Sequence, residues 1–125
     1  AFDVKMTPQK AEEGAGAETL GRFLLEKQYH GALEATARGQ MLTVSTKVEG
    51  SAVYVAVEQV EGTLDGRRGT FALNHIGTMT RGTPNLAIAV VPDSGTGELA
   101  GISGALGIRI EAGGKHFYDF DYTLP

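Results

Sequence analysis

The chain has no cysteine. That excludes disulfides, thiolate nucleophiles, iron–sulfur clusters and cysteine-based zinc sites, and it agrees with a cytoplasmic location. No apolar run approaches the roughly 18–20 residues needed to cross a bilayer. The opening Ala1-Phe2-Asp3-Val4-Lys5 lacks the basic, apolar and small-residue sections of a signal peptide. A membrane partner is therefore not expected. Nor is a nucleic acid: the net charge is −4, and the 11 lysines and arginines are scattered over 125 residues instead of forming a basic patch.

Motifs of fixed spacing are missing too. The three histidines include no His-x-His pair along a strand, so no metal site of the cupin kind is expected. Gly95-Thr96-Gly97-Glu98-Leu99-Ala100-Gly101 fits neither a dinucleotide fingerprint nor a P-loop. It lacks the lysine and no helix of useful length follows, so it reads as a turn. No serine sits on a nucleophile elbow, which argues against an acyl-transfer triad. No cofactor is expected.

What the chain does have is 18 glycines and 4 prolines placed between short apolar segments, where they act as turn punctuation. The segments alternate with period two. They begin near Leu20, break at His30-Gly31, resume over Leu33–Ala37, and break again at Arg38-Gly39 before Met41–Val48. Glu49-Gly50-Ser51 turns into Val53–Val60, and Asp65-Gly66 is a tight hairpin turn before the strand of Phe71–Met79. Thr83-Pro84-Asn85 turns into Leu86–Val91, and two last strands cover about 102–111 and 116–124. Residues 8–19 are polar and rich in Gly and Ala, as a mobile lead-in would be. The total is about eight strands without a convincing helix, and closing them into a small antiparallel barrel removes the exposed edges. A two-sheet sandwich is the alternative. One domain spanning 1–125 is expected, with no internal repeat.

Titratable groups inside strands carry the candidate chemistry. His75 shares a face with Phe71, Leu73, Gly77 and Met79, so its imidazole is either a satisfied core group or the working group of a pocket. Glu58 shares a face with Tyr54, Ala56 and Val60, and the small Ala56 beside Tyr54 suits a ligand cavity or a tight core. Glu34 alternates with His30, Ala32 and Thr36 on a more polar face, and solvent exposure is the competing reading. In the last strand His116, Tyr118, Phe120 and Tyr122 form an aromatic face that supplies core or pocket wall. Arg109, between Ile108 and Ile110, should face outward. Val53, Val55 and Val57 form a second apolar face, as if covered by another subunit, and a homo-oligomer (dimer or trimer) is expected.

Several phrases together resemble a bacterial family known only as domain of unknown function DUF3224. They are Tyr29-His30-Gly31-Ala32-Leu33-Glu34-Ala35-Thr36, Tyr54-Val55-Ala56-Val57-Glu58, and Gly62-Thr63-Leu64-Asp65-Gly66-Arg67-Arg68-Gly69-Thr70-Phe71. Asn74-His75-Ile76-Gly77-Thr78-Met79 and Val91-Pro92-Asp93-Ser94-Gly95-Thr96-Gly97-Glu98-Leu99-Ala100-Gly101 continue the likeness. The resemblance implies a barrel like that of allene oxide cyclase and carries no known reaction. In the family pattern Glu34, Glu58 and His75 recur, and in such a barrel they converge on the lumen. The chain departs from the pattern at Ala32, Gln40, Val53, Asn74 and Ile76. Several of these changes bring in bulkier or apolar residues close to the expected pocket lining, as in a divergent homologue or a rebuilt scaffold.

The expectation is thus an all-β closed barrel with an apolar interior pocket for a small hydrophobic molecule. The first functional reading is an enzyme performing proton transfer, isomerisation, cyclisation or elimination. Glu34 or Glu58 serves as base and His75 as donor or orienting partner, with Tyr54, Ala56, Asn74, Tyr118 and Phe120 lining the ligand. The second is a non-catalytic barrel that stores or carries an apolar ligand. The third, a purely structural or assembly module, leaves mid-strand His75 without a purpose.

Overall fold

Period-two alternation sends every second side chain of a strand to the same face, and here that face is the inside of a closed sheet. The computed structural model describes residues 1–9, 20–111 and 113–125. Eight strands follow in chain order: β1 (Phe2–Gln9), β2 (Leu20–Tyr29), β3 (Leu33–Ser45), β4 (Ala52–Leu64), β5 (Arg67–Thr80), β6 (Thr83–Val90), β7 (Ser103–Glu111) and β8 (Lys115–Thr123). Each pairs antiparallel with the next, and β8 returns to β1 to close the barrel. Two seams are thin. β6 and β7 share the register pair Ala89↔Ala105, and β1 and β8 share Phe2↔His116, whereas the other neighbours run in long ladders.

Three details differ from the sequence reading. β1 was not expected, because its inward residues Phe2, Val4 and Met6 are too few to make a persuasive pattern. For the lead-in segment, Pro8 and Gln9 belong to β1 and residues 10–19 lie outside the described residues. β3 runs unbroken through Arg38-Gly39. Gly39 interrupts nothing; it faces Glu58 across the ladder, where a Cβ would come within 2.8 Å of the Glu58 Cα. The β5–β6 turn is Arg81-Gly82, with φ of 47° and 91°, and Thr83-Pro84-Asn85 already belongs to β6. The Asp65-Gly66 turn is as expected, with φ of 49° and 82°, the two positive values that a tight hairpin needs.

The barrel has two unlike ends. At one, the connection after β6 folds beneath the strands and places the 3-10 turn Gly97–Leu99 there, with Leu99 wholly buried. Thr96 N–H donates to the Thr70 carbonyl at 2.8 Å, and Ala72 N–H donates to Ser94 Oγ at 3.0 Å, pinning that connection to β5. The Tyr118 hydroxyl accepts from Leu33 N–H at 2.9 Å and donates to the His30 carbonyl at 3.0 Å, tying β8 to the β2–β3 turn. Phe2, Tyr29, Leu33, Leu64, Phe71 and Leu73 fill this half with others. At the other end, inward-facing Leu86 and Met79 keep 40 % and 42 % of their surface exposed, and no described residue fills the interior.

Candidate functional site

Between the two halves lies a layer of charge. Lys27 on β2, Glu58 on β4 and His75 on β5 all point inward and are buried. The strand between β2 and β4 explains how they meet. The inward residues of β3 here are Ala35, Ala37 and Gly39, so nothing bulky stands between Lys27 or Tyr29 on one side and Glu58 on the other. Lys27 Nζ donates to Glu58 Oε1 at 3.0 Å, and the Tyr29 hydroxyl sits 3.1 and 3.2 Å from the two carboxylate oxygens. His75 Nε2 is 2.5 Å from Oε1. The Lys27 ammonium also lies 5.6 Å from the Phe2 ring centroid and 5.9 Å from that of Tyr29, within cation–π range.

This environment sets the protonation of the cluster. Burial pushes the Glu58 carboxyl upward, but the His75 hydrogen bond and the Lys27 charge outweigh it, leaving the carboxyl below its usual range. Burial, the Glu58 charge and the hydrogen bond to it push the Tyr29 phenol far above its usual range, so it remains a donor. A carboxylate only accepts, so His75 Nε2 carries the hydrogen of that bond. The Nδ1 edge has no partner among the described residues, yet no fully buried side-chain nitrogen or oxygen among them lacks one. Nδ1 is therefore unpaired but not fully buried.

Above this layer, in the open half, is a cavity of about 420 Å³. Phe23, Met41, Tyr54, Met79, Pro84 and Leu86 are among the residues that line it, and no charged residue does. Its lining ends at Tyr54 and Gly77, which are ladder partners, and the next inward pair below them is Ala56 and His75. Burial and the nearby Glu58 charge raise the Tyr54 phenol above its usual range.

The structure thus brings Glu58, His75, Tyr54 and Ala56 to one region of the interior. It separates the other expected residues from them. Glu34 points outward at the closed end, with its side chain 55 % exposed, and accepts from Gly31 N–H at 2.8 Å, so it does not join Glu58 and His75. Asn74 also lies on the outer face, because alternation from His75 turns it away. Tyr118 and Phe120 are inward but belong to the filled half, where Phe120 packs 5.8 Å from the Phe71 ring and Tyr118 5.7 Å from Tyr29. They wall the core and not the cavity. Lys27 and Tyr29 were missed, although Phe23, Leu25, Lys27 and Tyr29 alternate plainly on one face of β2.

The departures from the family pattern are displaced in the same way. Ala32 is in a turn, and Gln40, Asn74 and Ile76 have outward parity and do not line the cavity, whereas Val53, outward by parity as well, borders it. Val53, Val55 and Val57 are exposed on the outer face beside Leu42 and Ile76. Arg109 faces outward as expected, bound to Asp119 and Glu111. Among the described residues no group of three His, Asp or Glu side chains is placed to hold a metal, and no helix is long and apolar enough to cross a membrane.

No curated protein matches the chain. A solved structure does: the crystal structure of a protein with unknown function from the DUF3224 family of Shewanella oneidensis MR-1. It is 50 % identical, covers 99 % of this chain and 92 % of its own, and superposes with a TM-score of 0.92. The family model described as protein of unknown function (DUF3224) matches residues 1–122. With a match of that extent and a relative of that identity sharing the barrel, the chain belongs to the DUF3224 family.

Proposed function

We propose that the open half of the barrel takes up a small, largely apolar molecule and that His75 moves a proton on it. The observation that carries this reading is the uncharged cavity of about 420 Å³ that ends at the Tyr54–Gly77 row, one inward row from a buried Glu58–His75 pair. The roles differ from those expected of the sequence. Glu58 already accepts from three donors and is held ionised, so it is a poor base and a good orienting anion. His75, with Nε2–H committed to Glu58, offers Nδ1 as the proton acceptor, and the Glu58 charge stabilises the imidazolium that forms. Returning that proton to another atom of the same molecule completes an isomerisation.

The test has two parts. The fluorescence of N-phenyl-1-naphthylamine, an uncharged apolar probe, should rise on binding to the cavity. Cyclohexanone in deuterated water, followed by proton NMR, should then lose its α-hydrogens faster with the protein than without it. His75→Ala should bring that exchange back to the buffer rate. If the probe binds but exchange never exceeds the buffer rate, the protein is a binding barrel. That second reading is favoured by one observation, the complete pairing of Glu58 within the protein.

The outer face enters the same proposal as a contact with a second copy. Leu42, Val55 and Ile76 lie in one register row and Val44 and Val53 in the next, with Arg22 beside Leu42 at the β2 edge of the patch. Two such faces meet on an apolar centre with the charge at the rim. Native mass spectrometry should find an oligomer that Val55→Lys reduces to monomer; a monomeric wild-type protein rejects the contact.

A further inference from the structure

One row of the barrel has an unusual composition. Gly21, Thr43, Tyr54 and Gly77 are successive register partners across β2, β3, β4 and β5, and all four face inward. The two glycines flank the two hydroxyl-bearing side chains, and each leaves space that its neighbour occupies. A Cβ on Gly77 would collide with the Tyr54 ring at Cε1, and a Cβ on Gly21 would collide with Thr43 Oγ1. Tyr54 and Thr43 thus lean apart along the row, each over a glycine, at the inner limit of the cavity. Any larger residue at either glycine would force them upright.

Tyr54 and Thr43 make no hydrogen bond among the described residues, and no fully buried side-chain oxygen there lacks a partner, so both retain access to the cavity. The surrounding wall is uncharged and mostly apolar, with Ser45, Thr78 and Asn85 also among its lining. A charged ligand group would be desolvated there without a counter-ion. An entirely apolar ligand would cover two hydroxyls and leave them unpaired, which costs binding.

We propose that Tyr54, leaning over Gly77, is an oxygen-recognition site. It selects an uncharged, largely apolar molecule bearing one acceptor oxygen, a carbonyl or ether, which takes a hydrogen bond from the Tyr54 phenol. This rests on the reading of the open half as a ligand cavity and adds to it the chemistry of the ligand. Burial and the Glu58 charge support the role of Tyr54, because both keep the phenol protonated and therefore a donor.

The experiment is a cycle of two ligands and two proteins. 2-Adamantanone and adamantane, which differ by one oxygen, compete with bound N-phenyl-1-naphthylamine on the wild type and on Tyr54→Phe. Tyr54→Phe is expected to weaken the ketone about three- to tenfold, the range of one neutral hydrogen bond, and to leave adamantane unchanged. Tyr54→Leu repeats the comparison in the same direction, and carries it alone should Tyr54→Phe fail to fold by its thermal transition. Equal effects on both ligands, or no effect on either, overturn the proposal. So does a bound probe that neither ligand displaces, and in that case the cavity reading survives. A probe that never binds the wild type overturns the cavity reading and the oxygen site together.

Discussion

The two halves of this barrel are built from the same strands and the same alternation, yet one is filled and the other is not. In the closed half Leu73, Val60 and Leu99 have no exposed surface, whereas inward-facing Leu86 and Met79 in the open half keep about two fifths of theirs. Strand pattern alone does not account for this. The closed half is plugged by groups from elsewhere in the chain, namely the Gly97–Leu99 turn and the aromatic face of β8. At the open end the β5–β6 connection is only the turn Arg81-Gly82, too short to fold back into the barrel. Alternation therefore says which residues face the interior; what fills the interior depends on the connections.

Core truncation should break the symmetry between the halves most sharply. Phe71→Ala, in the filled half, is expected to cost about 3–5 kcal/mol, because the cavity it leaves is walled on all sides. Phe23→Ala, beside space that is already open, should cost below about 2 kcal/mol. Paired urea denaturation curves measure both, and equal losses would mean that the open half is as tightly packed in solution as the closed one.

The charged layer between the halves comes next. Glu58→Gln leaves the Lys27 ammonium buried without its counter-ion, at a cost of about 3 kcal/mol. The wild type should show the same dependence through pH. The Glu58 carboxyl titrates lower in the folded protein than in the unfolded chain, where it is about 4.3. Its stabilisation is present in full above that unfolded value and is lost as pH falls through the lower, folded value. Thermal transitions measured down the acid range should fall more steeply for the wild type than for Glu58→Gln. A parallel fall would remove Glu58 from the acid response.

The smallest effect is expected outside both halves. Glu34→Gln alters an exposed carboxylate at the closed end and should change stability by no more than about 0.5 kcal/mol. Probe binding should be unaltered. A loss of binding on that change would bring Glu34 back into the site.

Much of this arrangement can be read without coordinates, and the failures have identifiable causes. Eight strands are expected and eight are present among the described residues, but the agreement in number conceals two errors that cancel. β3 is divided at Arg38-Gly39, because a glycine beside a charge resembles a turn, and β1 is overlooked. Gly39 is an interior position whose missing side chain admits Glu58, a reason that exists only across the ladder. Glu34 is paired with His75 through family likeness, while alternation already put it on the polar face. Lys27 is a different omission: β2 alternation places it inward, but a lysine on an apolar face looks like an irregularity until its counter-ion is known.

Composition and period-two patterning determine the all-β class, the inward placing of Glu58, His75, Tyr54 and Ala56, and the outward placing of Arg109 and of Val53, Val55 and Val57. These follow from the strand's own geometry, which needs no partner to define its two faces. Tertiary structure alone decides that Lys27 and Tyr29 reach Glu58 over Ala35, Ala37 and Gly39, and that Thr43 and Tyr54 lie in a row between two glycines. It also decides which half of the barrel stays open. Register and closure set these features by joining residues far apart in the chain, and no local pattern encodes which distant side chain will stand opposite.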